Sequence, residues 1–338
     1  MRRILIPIFV VVILLSGCAA PKGDDAISKC ELPILRFHSD GTFKIAQFTD
    51  MHLKPVPESD IAYERVAQVL DDEKPDLVVF TGDIIYSRGH QDLMLKAVQP
   101  VVDRGIPFAL TFGNHDFEQG LPNDSLYDML LPLQGCVMPA RGEGRAARDY
   151  ALPVQAHDKD STAAVVYIFD SNSYCSLKGI GGYDYIHFEQ VAHYREVSTS
   201  YTESNGGQPL PSLAYMHIPL PEYNYAWNDS RWVRYGTRDE AECAAKLNTG
   251  LFAAFREQGD MIGVFSGHDH IDDYAINYYD ILLAYGRFSG GNTEYNGLPG
   301  GNGARIVVLH EGQRSLDTWI RLADGIEQKT CFPVDYVK

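Results

Sequence analysis

Basic residues are scarce in this chain. Only 29 Lys and Arg stand against 45 Asp and Glu, a formal charge of −16. That sign repels duplex nucleic acid and anionic lipid at long range, so generic backbone binding is excluded and no nucleic-acid duplex partner is expected. Loops that define several enzyme classes are missing too. There is no G-x-S-x-G elbow, no G-x-x-x-x-G-K-[ST] loop, no complete H-E-x-x-H and no G-x-G-x-x-G. Their absence removes the serine-hydrolase, P-loop, zincin and dinucleotide-fold readings. The six cysteines form no C-x-x-C pair, which excludes a zinc ribbon or a thioredoxin-type motif. Fixed-period repeats and low-complexity tracts are absent as well. What remains is 45% hydrophobic over 338 residues, enough to bury a full core, and it predicts one large α/β domain or two small ones.

One long apolar run exists. Arg2 and Arg3 precede Ile4 to Leu15, a stretch too short to span a bilayer comfortably and typical of a secretory signal. It ends in Leu15-Ser16-Gly17-Cys18, which resembles a bacterial lipobox. The resemblance implies cleavage before Cys18 and fatty acids on the new N-terminus. We therefore expect residues 1–17 to be a lipoprotein signal peptide, residues 18–40 the lipidated Cys18 with its tether, and residues 41–338 the folded domain. Its expected place is the bacterial cell envelope, lipid-anchored to a membrane outside the cytoplasm. Cys30, Cys136, Cys175, Cys243 and Cys331 are an odd number for disulfide pairing and are expected to be buried free thiols.

Past the leader, apolar runs of strand length alternate with helical periodicity. Strands are expected at 43–48, 77–80, 107–112, 150–154, 163–169, 213–216 and 261–265, and helices at 59–70, 92–104 and roughly 238–258. In the first helix Ser59 is a candidate cap. From Tyr274 onward short strands are expected at 281–285, 305–310 and 318–322. Open α/β sheets place ligand chemistry at the carboxyl ends of their strands. Unusual residues stand there: Asp50-Met51-His52, Gly82-Asp83, Gly113-Asn114-His115-Asp116, Met216-His217-Ile218 and Gly267-His268-Asp269-His270. Extended chain would point Asp50 and His52 the same way, and likewise His268 and His270. Asp, His and Asn are oxygen and nitrogen donors for borderline or hard cations. Seven such ligands, one a shared carboxylate, suffice for two ions roughly 3.5–4 Å apart, the arrangement that clamps phosphoryl transfer. A lone His at a strand end is usually structural; five clusters in order at strand ends favour the metal reading.

The ordered set D-x-H, G-D, G-N-H-D, H and G-H-D-H resembles the calcineurin-like metallophosphoesterase superfamily. The stretch His217-Ile218-Pro219-Leu220-Pro221-Glu222-Tyr223, with Gly182-Tyr183-Asp184-Tyr185-Ile186, Asn248-Thr249-Gly250-Leu251-Phe252 and Tyr285-Gly286-Arg287, resembles its small single-domain branch related to purple acid phosphatases. The implied fold is a layered α/β sandwich, two packed mixed sheets flanked by helices. By the same resemblance Asp50, His52, Asp83 and His270 hold one metal, and Asp83, Asn114, His217 and His268 a second. The implied cofactors are Fe, Mn or Zn. A metal-bridging water attacks phosphorus while His115 assists the leaving group. Asp116 and Asp269 are candidates to orient His rings, and Arg287 to bind substrate. Tyr86 stands where purple acid phosphatases carry a tyrosinate ligand, yet His52 is also present; we expect His52 to ligate and Tyr86 to pack.

Between Glu222 and Arg234 an aromatic loop offers Arg231 and Arg234 as phosphate contacts, with packing on the sheet edge weighed slightly higher. Gly135 to Asp149 reads as an exposed turn without chemistry. The expected function is hydrolysis of phosphomonoesters on a small-molecule or protein substrate. The alternatives are a phosphodiesterase acting on a nucleotide or lipid head group, and a ligand-binding lipoprotein without turnover. A monoesterase needs cations for the third phosphate oxygen, whereas a diesterase needs room for a second ester arm.

Overall fold

A computed structural model describes residues Leu32–Lys338. The expected signal peptide, Cys18, Cys30 and most of the tether lie outside the described residues. In chain order the elements are β1 (Leu35–Arg36), β2 (Thr42–Phe48), α1 (Asp60–Glu73), β3 (Leu77–Thr81), α2 (Asp92–Val102), β4 (Phe108–Thr111), α3 (Asn123–Leu130), β5 (Tyr150–Gln155), β6 (Thr162–Ile168) and α4 (Phe188–Ser204). They continue with β7 (Ser212–Tyr215), α5 (Glu222–Trp227), β8 (Arg234–Tyr235), α6 (Leu251–Gln258), β9 (Met261–Ser266), β10 (Ala275–Tyr278), β11 (Ile281–Tyr285), β12 (Ala304–His310), β13 (Leu316–Leu322) and β14 (Gly325–Phe332).

The strands form two mixed sheets. One has eight strands in the order β1-β5-β6-β7-β9-β11-β10-β8, the other six in the order β14-β13-β12-β2-β3-β4. Within them β2, β3 and β4 run parallel, as do β6, β7, β9 and β11. Parallel strands covered on both faces read as continuous apolar runs, and β3 (Leu-Val-Val-Phe-Thr) is buried at every position. β6 shows the two faces separately. Ala164, Val166 and Ile168 join a core shared by both sheets and by α1, α2 and α3, while Val165 and Tyr167 join a second core under α4, α5 and α6. The result is two packed sheets flanked by helices, the expected sandwich.

Three local expectations fail for physical reasons. The long helix at 238–258 is only α6; residues 238–250 are irregular. There Asp239 and Glu240 donate their N–H groups to Asp272, and Gly250 enters α6 at φ 83°. Arg238 and Glu242 still pair at i,i+4 spacing without a helix between them. Ser59 does not cap α1, because its hydroxyl exchanges hydrogen bonds with the backbone of Lys54. Of the described free cysteines Cys136 is buried, Cys175 and Cys331 are half-buried, and Cys243 is exposed. Among the described residues no helix is long and apolar enough to cross a membrane.

Candidate metal centre

All five sequence clusters leave the carboxyl ends of parallel strands. Asp50 and His52 follow β2, Asp83 follows β3, Asn114 and His115 follow β4, His217 follows β7, and His268 with His270 follows β9. The loops then fasten to one another. The N–H of Asp50 donates to Gly82 O at 3.1 Å and that of His52 to Asp83 O at 3.0 Å. Across the sheets, the N–H of His268 donates to Asp50 Oδ2 at 3.0 Å. Asp50, His52, Asp83 and His268 have φ of 55°, 45°, 51° and 83°, the left-handed region that non-glycine residues seldom enter. The extended geometry expected for Asp-x-His is therefore not what aligns Asp50 with His52; two left-handed residues do. Adjacent glycines make room: a Cβ at Gly113 would lie 2.1 Å from Asp83 Oδ1, and one at Gly267 would lie 2.7 Å from Asp50 Oδ2.

Six of the seven predicted ligands meet in two buried groups. In one, Asp50, His52 and His270 bring ligand atoms within 4.8 Å of each other; in the other, Asp83, His217 and His268 do so. Asp83 Oδ2 lies between them, 3.2 Å from His217 Nε2 and 3.7 Å from His52 Nε2. The groups tighten to 2.9 Å between His52 Nε2 and His270 Nε2, and to 3.2 Å between His268 Nδ1 and His217 Nε2. Asn114, the seventh, is buried, and its Oδ1 meets no donor among the described residues.

The donor set fits cations. His217 Nδ1 lies 2.8 Å from Thr81 O and His270 Nδ1 lies 3.0 Å from Tyr295 O. A carbonyl only accepts, so both Nδ1 atoms carry hydrogen and each ring turns its other nitrogen, Nε2, toward Asp83 or Asp50; without a further proton that atom would present a bare lone pair. Lone pairs facing carboxylates repel unless something positive lies between. No Lys or Arg among the described residues pairs with Asp50 or Asp83; the only ionisable side chains of basic type near them are imidazoles. In the protein alone a proton fills that need. Burial opposes charge on His217, but the Asp83 carboxylate prevails and raises it to about 10. Burial likewise pushes Asp83 upward, and the His217 charge overrides it, leaving Asp83 below the usual carboxylate range. Burial alone dominates at His52 and His268, which are held neutral, and it raises Asp50. Buried carboxylates, neutral imidazoles and an amide oxygen suit divalent or trivalent Fe, Mn or Zn.

His115 stands at the rim, half-buried. Its N–H donates to Asp83 Oδ1 at 2.8 Å, and its Nδ1 lies 2.8 Å from Glu118 Oε2. Tyr86 packs against it at 4.5 Å between ring centroids and meets the His52 ring edge-on at 5.5 Å.

Other expectations are corrected. Asp116 reaches no imidazole. It accepts the N–H groups of Ile84 and Ile85 on Oδ1 and of Gly113 on Oδ2, clamping the β3 loop to the β4 loop. Asp269 accepts the Tyr285 hydroxyl at 2.6 Å and the N–H of Cys243. Backbone carbonyls, not these carboxylates, orient the rings of His217 and His270. Arg287 is fully buried, where it bonds Asp273, Gly301 O and Pro299 O, so it braces the following loop and presents nothing to substrate. Arg231 pairs with Asp229, and Arg234 lies over the Trp227 ring at 4.3 Å. Both follow the packing alternative. Glu118 escaped sequence reasoning, although its position three residues after His115 was a usable signal.

Comparison with known proteins agrees with this geometry. The model of the calcineurin-like phosphoesterase family matches residues 43–272. The chain is similar to the Arabidopsis thaliana "Probable inactive purple acid phosphatase 14", 28% identical over 86% of this chain and 83% of that one. It is also similar to "Phosphatase DCR2" of Saccharomyces cerevisiae, 32% identical over 84% of this chain and 54% of that one. Among solved structures, a dimetal phosphatase from Danio rerio superposes with a TM-score of 0.58 at 12% identity, covering 86% of this chain and 98% of its own, which shows the shared fold. A family model spanning most of the chain, on the strands that deliver the metal-binding loops, places this protein in the calcineurin-like phosphoesterase family.

Proposed function

We propose that the protein hydrolyses phosphate esters with two metal ions. The observation that supports this best is the position of Asp83 Oδ2 between two buried groups of His and Asp ligand atoms. Asp50, His52, Asp83 and His270 would hold one ion, and Asp83, Asn114, His217 and His268 the other. Such a pair supplies Lewis-acid stabilisation of phosphoryl oxygens and activates water at neutral pH. The protein's own part is to position. Asp116 and the glycines fix the loops, and Glu118 accepts from His115 Nδ1. That leaves His115 Nε2 as the position that handles a proton at the leaving oxygen. The Arabidopsis relative's name marks that protein as probably inactive and the yeast relative's marks a phosphatase; the six ligands that meet, the unpartnered Asn114 Oδ1 and the grouping of His115 with His52 and Asp83 support turnover here.

The sequence puts monoesters first and offers Arg287 as a substrate contact, and a monoester needs cations for its third phosphate oxygen. The burial of Arg287 favours the second reading, an ester whose phosphate carries two arms. The test is hydrolysis of p-nitrophenyl phosphate and bis-p-nitrophenyl phosphate by protein stripped with chelator and reloaded with Mn, Fe or Zn. Metal-dependent release, lost in Asn114→Ala and His115→Ala, is expected. Two bound metals with no turnover of either ester would instead support the ligand-binding alternative. We also propose a lipid anchor at Cys18 and a place in the cell envelope. Labelled palmitate should enter the wild type and not Cys18→Ser; equal label in both would remove the anchor.

A further inference from the structure

On the Asn114 side the side chains around the candidate metal centre are aromatic; across the site Lys54 lies over the Tyr86 ring and is paired with Glu294. Beside Asn114, the half-exposed Tyr174 donates its hydroxyl to Glu118 Oε1 at 2.7 Å and accepts from Asn114 Nδ2 at 3.4 Å. Its ring stacks on Tyr183 with centroids 5.7 Å apart and planes within 23°, and the Tyr183 ring in turn stands edge-on to His268 at 4.3 Å. A ladder of rings thus leads from one ligand group out to solvent. Exposed tyrosines ordinarily sample several rotamers. This one is tied down, because Glu118 is itself held by His115. A carboxylate there repels phosphate, so its use is to hold the ring. A rigid aromatic face with little rotamer entropy left to lose favours stacking of another planar group.

We propose that Tyr174, backed by Tyr183, is a stacking platform for a planar aromatic arm of a phosphodiester substrate. The proposal rests on the phosphoesterase reading and deepens it to a substrate class, small phosphodiesters with one aromatic arm beyond the leaving group.

The experiment compares bis-p-nitrophenyl phosphate with methyl p-nitrophenyl phosphate, which share a leaving group and differ only in the second arm. The kcat/KM ratio of the two cancels the active fraction of each preparation. Tyr174→Leu should lower the ratio roughly fivefold, within the range of a stacked aromatic pair, while Tyr174→Phe, which keeps the ring and loses only its tie to Glu118, should lower it distinctly less. An unchanged ratio in Tyr174→Leu would overturn the platform. So would an equal fall in both variants, which would mean that Tyr174 acts through its hydroxyl. Preference for p-nitrophenylphosphorylcholine over the diaryl ester would overturn it in favour of a cation-binding aromatic face. If the metal-loaded wild type turns over none of these diesters but cleaves p-nitrophenyl phosphate, the diester reading and the platform fall together; if it cleaves neither kind of ester, the phosphoesterase reading itself fails.

Discussion

Asn114 should change the sign of its contribution to stability when metal is removed. Its Oδ1 is buried without a donor, and its Nδ2 has one long contact, 3.4 Å to the Tyr174 hydroxyl. An unsatisfied buried acceptor costs about 1–3 kcal/mol. Leu is nearly isosteric and has no polar atom to strand. In chelator, Asn114→Leu should therefore relieve that cost, give up little in the weak Tyr174 contact, and end about 1 kcal/mol more stable than wild type. With metal in hundredfold excess over its dissociation constant, the wild type gains about 2.7 kcal/mol by mass action. The variant lacks one ligand and forgoes most of that gain at the affected group, so the order of stability reverses. Urea unfolding in chelator and in excess Mn or Zn reads both quantities in one experiment. Should Asn114→Leu lose as much stability in chelator as it does in metal, the amide would be an ordinary structural group and the ligand argument would be wrong.

Asp116→Ala leaves three buried backbone N–H groups without an acceptor and should cost at least about 3 kcal/mol in urea unfolding. Burial and the nearby Asp83 raise Asp116 to about 7, so Asp116→Asn, which keeps an acceptor and drops the charge, should cost less than half as much. Arg287→Met strands the buried Asp273 carboxylate and should cost about 3–5 kcal/mol without raising KM for any ester; a tenfold rise in KM at unchanged stability would restore a phosphate-binding role. His217 is raised from 6.5 to about 10 in the protein alone. Its stabilisation is therefore fully present below pH 6.5 and fades as pH rises through 10. Excess metal takes the proton's place, so stability curves measured by urea unfolding in chelator should slope down over that range and flatten when metal is added.

The site was more legible than the scaffold around it. Asp83, Asn114 and His268 sit beside a glycine, His217 ends an apolar run, and Asp50, His52 and His270 stand within a few residues of such a signal, so the signals are local. What misled was the region between runs. α4 went unnoticed because Phe-Glu-Gln-Val-Ala-His-Tyr-Arg-Glu-Val-Ser-Thr-Ser-Tyr-Thr-Glu-Ser is polar and β-branched. Only Gln190, Tyr194 and Ser198 of it are buried, too thin a stripe to show a helical period. The opposite error is the helix expected over 238–258, where the side chain of Asp272 instead holds the chain irregular by accepting the N–H groups of Asp239 and Glu240. Arg287 was a candidate substrate contact through the resemblance of Tyr285-Gly286-Arg287 to the family. Sequence does not show that Asp273, fourteen residues earlier, lies beside it in the core.

The conformation of the ligands bears on how metal and fold are coupled. Non-glycine residues at positive φ cost on the order of 1–3 kcal/mol each, and four of the ligands adopt such angles. Their sum is comparable to the whole stability of a domain. Relief of so much strain cannot come from the bound ions alone, since it exceeds what mass action supplies at ordinary excess. The compensation is visible in the protein: Asp50 and His52 hydrogen-bond to Gly82 and Asp83, Leu53 to Ile84, Tyr86 to Leu53, and His268 to Asp50. These bonds join loops of both sheets into one unit that sets the ligand directions before any cation arrives. A metal would then meet a site already formed and would displace the His217 proton that faces Asp83 rather than fold the loops. Metal affinity should accordingly rise with pH up to the His217 value of about 10, while secondary structure by circular dichroism stays the same with and without metal. Loops that ordered only on metal binding would contradict this order of events.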